Sequence, residues 1–273
     1  MAATEDSAGA ATGGPAGSPV DRPPLTARSV VASVLLGTEP PVMSARALVR
    51  AGALFGLADG TVRTAVSRMV GNGELARRED GRYELAGHLA ARQARQLSSR
   101  RPALRRWGGH WEMWVVRPSA RSPAERAELR AAAGALRLAE LRDGVWLRPD
   151  NLDPRRFPEA GATMGAQSRR FTTRPDADDE LAGELWALGR WSDTALALRR
   201  EMAGLRTRLD ADDTDGLAPG FVLAAAVLRH LNADPLLPVE LLPRSWQGDR
   251  LRADYEAYDT AYSALLRRWL RDQ

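Results

Sequence analysis

Apolar residues recur at helical spacing three times between residues 25 and 72, and then the period changes. Val30, Val31, Val34 and Leu35 lie on one face of a helix predicted over residues 25–37, and Glu39-Pro40-Pro41 breaks it. Ser44 is placed to cap a second helix, residues 45–55, with Leu48, Ala51 and Phe55 on one face and Gly56 at its end. Asp59 is placed to cap a third helix from Gly60 to about Asn72, whose Val62, Ala65, Val66, Met69 and Val70 form a single stripe. Two short strands follow, Leu75–Arg78 and Arg82–Leu85, around Glu79-Asp80-Gly81, where a hairpin turn needs a positive φ. Helix, helix, tight turn, helix and hairpin is the order of a winged helix-turn-helix.

Beyond this unit the pattern predicts a basic connecting helix over residues 87–106, a strand from Trp111 to Val116 and an Ala-rich helix from Pro123 to Leu141. A strand over Gly144–Arg148 follows, with further strand within residues 162–173. Helices are predicted at 178–191, 193–209 and 219–231, then a Pro-rich stretch at 234–248 and a final helix at 249–271. The expected architecture is α+β and multidomain. It comprises a leader at 1–24, a winged helix-turn-helix at 25–86, a connecting helix at 87–107, a small α+β domain at 108–175 and a helical domain at 176–273. The leader is Ala, Gly, Pro, Ser and Thr without an apolar core, and is read as disordered and not as a secretory signal. No apolar run approaches the ~18 residues that span a bilayer, so the expected location is cytoplasmic, away from membranes.

Charge sharpens the reading of the first unit. The net charge is only +4, but residues 25–108 carry 14 arginines against six acids, while the segments on either side are each weakly acidic. A local basic excess is the footprint of a nucleic-acid contact. The chain has no cysteine and no lysine. This excludes disulfides, thiol nucleophiles, cysteine zinc sites, Schiff bases and a P-loop lysine. A GC-rich genome is the simplest source of all-arginine usage, yet the planar arginine fork also grips phosphate and guanine edges.

The face of the third helix opposite its apolar stripe has Thr64 and Ser67 at its centre, Arg63 and Arg68 on its flanks, and Thr61 at its start. Short hydroxyls and long arginine forks suit a major groove. Arg77, Arg78 and Arg82 of the hairpin are candidates for phosphates or the minor groove, and Ser44 and Arg46 for phosphates at the start of the second helix. The expected partner is double-stranded operator DNA.

The same residues resemble a known family. Ser44-Ala45-Arg46-Ala47-Leu48-Val49-Arg50-Ala51-Gly52-Ala53-Leu54-Phe55-Gly56, with Thr61-Val62-Arg63-Thr64-Ala65-Val66-Ser67-Arg68-Met69, is similar to the helix-turn-helix of the PaaX-like repressors of phenylacetate catabolism. Gly144-Val145-Trp146-Leu147-Arg148-Pro149 resembles their middle domain. Asp234-Pro235-Leu236-Leu237-Pro238, Leu241-Leu242-Pro243 and Trp246-Gln247-Gly248 resemble their C-terminal domain. The resemblance covers residues 25–271 in order. It implies a winged helix, a ferredoxin-like (Cas2-like) middle domain, a helical C-terminal domain, and a homodimeric repressor released by an aryl-acetyl coenzyme A thioester. Residues that contact such an effector are unknown from sequence; the arginines of 121–142, with Arg169 and Arg170, are candidate walls, and nearby tryptophans candidate stacking partners for the aryl end.

Other constellations point elsewhere. His110-Trp111-Glu112 has the spacing of a zinc deaminase motif without the cysteines that motif needs. His88, His110 and His230 fall in three segments, so neither a metal site nor any cofactor is expected. Asp210, Asp212, Asp213 and Asp215 lack the terminal Glu of a calcium loop, and Asp176, Asp178, Asp179 and Glu180 suit a helix N-terminus. Of the eight tryptophans, all but Trp107 and Trp111 are expected in core or interface. Two alternatives to a DNA-binding regulator stand. One is a metal-dependent nuclease of Cas2-like type, which wants an Asp where this chain has Val115-Val116-Arg117-Pro118; the other is a winged-helix protein-interaction adaptor.

Overall fold

The computed structural model describes residues 26–118 and 120–271; the leader at 1–24 lies outside them. Helix α1 (Ala27–Leu36) starts from a reciprocal capping box between Thr26 and Ser29 and buries Val30, Val31, Val34 and Leu35. Strand β1 (Val42–Met43) follows the two prolines. Helix α2 (Ala45–Ala53) is capped by the Ser44 side chain, which accepts from the Ala47 N–H at 3.2 Å. Helix α3 (Asp59–Gly71) buries Val62, Val66 and Met69. Asp59 is its first residue and not its cap: Ala58 precedes it with no side-chain bond, and the acid sits in the first turn, where the helix dipole favours it.

Strands β2 (Leu75–Arg77) and β3 (Tyr83–Leu85) pair antiparallel, with Ala76 opposite Glu84. Gly81 supplies the positive φ, +77°, that the turn requires. The sheet has a third member that the pattern did not predict. Strand β1 pairs with β3 through Val42 and Met43, too short a segment to show a period of two.

Helix α4 (Gly87–Arg100) is shorter than expected and stops before Pro102. A four-stranded antiparallel sheet follows, ordered β5-β6-β4-β7, from β4 (Trp111–Val116), β5 (Ala139–Arg142), β6 (Val145–Pro149) and β7 (Ser168–Thr173). Helix α5 (Pro123–Ala135) links β4 to β5, and α6 (Pro158–Gln167) links β6 to β7. Two expectations are corrected here. The helix predicted to Leu141 ends at Ala135, because Arg137 turns to φ 58° and Leu136 and Leu138 bury against the sheet, leaving residues 139–142 as an edge strand. Of residues 162–173, the first half is helix and only the second is strand.

Helices α7 (Asp178–Leu185), α8 (Leu188–Asp210), α9 (Leu217–Asn232) and α10 (Gly248–Arg271) complete the described chain. The break falls at Trp186-Ala187 and not near residue 192, so α8 is continuous through Trp191 and Ser192. Trp111 is fully buried, contrary to expectation, and its Nε1 donates to Asp178 at 2.7 Å.

One apolar core runs from α1–α3 through α4 into α8–α10, while the second sheet packs on its own clusters. A buried polar hub joins the two. Arg148, with no solvent exposure, donates to the carbonyls of Leu136 (3.0 Å) and Leu236 (3.2 Å) and to Asn151 Oδ1 (2.6 Å). Asp234 accepts from Leu236 N–H and from Arg252, which also donates to the Ser99 carbonyl. The separated segments around Arg148 and Asp234 therefore meet in one network. Loss of solvent around Arg148 lowers its pKa to about 10, partly countered by Glu112, so it remains charged at neutral pH.

Candidate nucleic-acid interface

The approach of α2 to α3 is set by Gly52. A Cβ there would lie 2.5 Å from Val62 Cγ2. The connection is closed by N–H groups of Phe55, Gly56 and Leu57 donating to the carbonyls of Gly52 and Ala53, with Gly56 at φ 69°. With Val62, Val66 and Met69 held inside, the helical period forces Thr61, Arg63, Thr64, Ser67 and Arg68 outward, and all five are exposed.

The structure sorts the ten sequence-predicted residues into groups. Arg63, Ser67 and Arg77 line one cleft of about 280 Å3 between α2, α3 and the hairpin. Tyr83 lines it too; sequence reasoning missed this residue, although its place in β3 opposite Arg77 was a signal. Thr61, Thr64 and Arg68 line the other flank of α3, beside Arg28 and Asn72. Arg46 is exposed in the first turn of α2, and the Ser44 hydroxyl is engaged as the cap of that helix. Among the described residues the side chains of Arg46, Arg63, Arg68 and Arg77 have no hydrogen-bond or ion-pair partner, so their guanidiniums are open to a ligand.

The hairpin tip differs. Arg78 pairs with Glu84 at 2.7 Å, and Arg82 pairs with Asp80 at 2.6 Å. The Arg82 guanidinium holds the Asp80 carboxyl below its usual range. These two arginines are partly neutralised within the hairpin itself. Behind this face, Arg28 of α1 makes three bonds to Glu74, at 2.5, 2.9 and 3.1 Å, fixing the segment between α3 and β2. That pairing lowers the pKa of the nearly buried Glu74.

The candidates outside this unit are placed as follows. Arg170 is tied to Glu112 (3.1 Å) and Asp150 (3.4 Å), and Arg121 to Gln167 (3.1 Å). The strand that a Cas2-like nuclease would end with an acid runs into Arg117, whose guanidinium donates to the Ala166 carbonyl at 3.2 Å. Asp212 and Asp213 are paired with Arg268 and Arg208. His230 packs in a stack with Trp191 and Trp246, ring centroids 4.3 Å apart, and burial lowers its pKa. No group of three or more His, Asp or Glu among the described residues is arranged to hold a metal ion, and none of the described helices is long and apolar enough to cross a membrane.

The family model described as PaaX-like protein matches residues 26–89, and that described as PaaX-like protein C-terminal domain matches residues 186–272, together more than half of the chain. The chain belongs to the PaaX-like family. A solved structure of an uncharacterized protein from Mycobacterium tuberculosis is 43% identical to this PaaX-like protein over 88% of this chain and 97% of that one, with a TM-score of 0.69. No curated protein matches. The first matched region contains α1–α3 and the three-stranded sheet. The second contains α8–α10 and the Asp234 side of the buried hub.

Proposed function

We propose that this PaaX-like protein is a sequence-specific DNA-binding transcription regulator, a cytoplasmic homodimeric repressor that leaves its operator when a small effector such as an aryl-acetyl coenzyme A thioester binds. The observation that carries the reading is the outer face of α3. It presents Thr61, Thr64, Ser67 and the unpaired Arg63 and Arg68, with the unpaired Arg77 of the hairpin across a shared cleft. In this reading residues 25–86 form a winged helix-turn-helix with α3 in the major groove, α2 crossing the backbone and the β2–β3 hairpin as the wing. The β4-α5-β5-β6-α6-β7 order, with strands arranged β5-β6-β4-β7, supports a ferredoxin-like middle domain. Family membership supports regulation over the nuclease and adaptor readings.

Binding to the gene's own upstream region, measured by fluorescence anisotropy against scrambled DNA, tests this. Arg63→Ala and Arg68→Ala should each lose about 1–3 kcal/mol on the operator and much less on scrambled DNA. Arg77→Ala should weaken both alike and reduce the salt slope by about one unit. Because Arg78 and Arg82 are already ion-paired, Ala at either should change the slope less than Arg77→Ala. Sequence-indifferent binding by the wild type, or Arg63→Ala and Arg68→Ala both silent, sinks the assignment of α3. A two-fold dimer would place the two α3 helices ~34 Å apart, so inserting half a turn between half-sites should abolish cooperative binding.

A further inference from the structure

We infer that the cavity enclosed by α1, α4, α9 and α10 is a small-molecule site, built for an organic anion with an apolar body, and that it is where an effector acts on the DNA-binding unit. The inference rests on the regulator reading above for its second clause only; the site itself stands on the geometry. The cavity measures about 410 Å3, within the ~300–1,000 Å3 of small-ligand pockets. Its floor is apolar: Ala32, Leu36, Phe221, Leu228, Tyr262 and Leu266 line it. Its rim is cationic, with Arg28, Arg92, Arg95 and Arg229 all lining the same space. Among the described residues the guanidiniums of Arg92, Arg95 and Arg229 have no hydrogen-bond or ion-pair partner, and of the four only Arg28 is matched, by Glu74.

The carboxylate in the lining, Asp259, is held by Arg100 at 2.8 Å, so Arg92, Arg95 and Arg229 repel one another with no acid paired to them. Arg92, Arg95 and Arg229 are exposed at the mouth of the cavity, and the pKa of the Arg92 guanidinium is lowered first by partial desolvation and then by the positive charges of Arg229, Arg95 and Arg28. An anion at this rim relieves that repulsion and gains charge-assisted hydrogen bonds. A further group in the wall lacks a partner. Gln96 Oε1 is buried with no donor within reach, so a ligand carrying a hydroxyl or amide N–H beside its anionic group meets an open acceptor. The carboxylate of an aromatic acid and the phosphates of a coenzyme A thioester share this chemistry.

The walls lead to the DNA-binding unit by three routes. Phe221, in the floor, packs on Phe55 in the α2–α3 turn with ring centroids 4.9 Å apart. Arg28, on the rim, is the residue that grips Glu74 after α3. Helix α4 begins directly after β3, at Gly87, where a Cβ would approach the Gly73 carbonyl to 2.7 Å. A ligand that spreads α9 and α10 from α1 and α4 therefore acts on both ends of α3. By contrast, Arg121 and Arg170 are engaged with neighbours of their own sheet and its flanking helix.

The test is titration calorimetry of the full chain with phenylacetate, phenylacetyl-coenzyme A, coenzyme A and neutral benzyl alcohol, repeated on Arg92→Ala/Arg229→Ala and on a cavity-filling Ala225→Phe. Saturable one-to-one binding by phenylacetate or the thioester is expected, with benzyl alcohol at least tenfold weaker. The double variant should lose tenfold or more in affinity while its unfolding midpoint does not fall and its DNA affinity stays within twofold, since neither guanidinium has a partner to lose and the repulsion between them is removed. Coenzyme A binding as tightly as its thioester places recognition in the phosphates, which also belong at the arginine rim; free phenylacetate binding as tightly places it in the carboxylate. Absence of binding by any anionic probe, or affinity retained within twofold in both variants, overturns the site. DNA release separates the two claims. Binding that needs Arg92 and Arg229 yet leaves the operator complex intact overturns the effector clause and keeps the site. Release that persists in both variants overturns the site and keeps the regulator.

Discussion

Replacing Gly52 with alanine should tilt α3 and expose how tightly the approach of α2 to α3 is specified. The new Cβ would stand 2.5 Å from Val62 Cγ2 and 3.6 Å from Leu57 Cβ. Ordinary contact begins near 3.4 Å, so α2 and α3 must separate by about 1 Å, or Val62 must leave its rotamer; overpacking of this severity costs ~3 kcal/mol. Alanine regains ~1 kcal/mol of helix propensity, leaving a net loss of ~2 kcal/mol. Val62 has no solvent exposure, so Val62→Ala alone removes two buried methyl-sized groups and should cost ~2.5 kcal/mol including its cavity. In the double variant the clash disappears and the propensity gain remains, so the cost should be ~1.5 kcal/mol and the coupling ~3 kcal/mol in favour of the pair. Urea unfolding followed by circular dichroism gives the stabilities, and anisotropy on the operator gives the consequence for α3. Gly52→Ala should weaken operator binding more than Val62→Ala does, because only the former displaces the helix. Additivity within 0.5 kcal/mol, taken as the usual limit for independent sites, would refute the steric argument.

Two further outcomes follow from buried charges. Arg148→Met keeps the aliphatic stem but leaves the Leu136 carbonyl without its side-chain donor and weakens the clamp on Leu236; it should cost about 3–5 kcal/mol in chemical denaturation, and a loss below 1 kcal/mol would mean that the hub contributes little. The Glu74 carboxyl has its pKa lowered by Arg28, so its contribution is present above the unfolded carboxyl value of ~4.3 and disappears as pH falls through the lower folded value. Wild type should therefore lose stability on acidification below that point, whereas the curve for Glu74→Gln should be flatter there; parallel curves would contradict the pairing.

The sequence by itself determined most of the local structure of the first unit. A strong 3.6-residue period, Ser44 as a cap and Gly81 at the hairpin turn each encode their outcome locally, and the outward face of α3 follows once Val62, Val66 and Met69 are inside. The same logic failed where the deciding contact was distant. Residues 136–141 read as a continuation of an Ala-rich helix, yet Leu136 and Leu138 gain more by burying against a sheet that forms only when β6 arrives. Strand β1 exists because β3 offers it an edge. Ion pairing was equally invisible: Arg77, Arg78 and Arg82 look alike in sequence, and only the hairpin register sets Glu84 and Asp80 against two of them. The arginine-rimmed cavity is the extreme case. Its walls come from residues near 30, 92, 225 and 260, each an unremarked position on its own helix, and their shared charge and apolar floor arise solely from the packing of α1 and α4 on α9 and α10. Periodicity records which face of an element turns inward; what that face meets is fixed by long-range packing, and this site was made there.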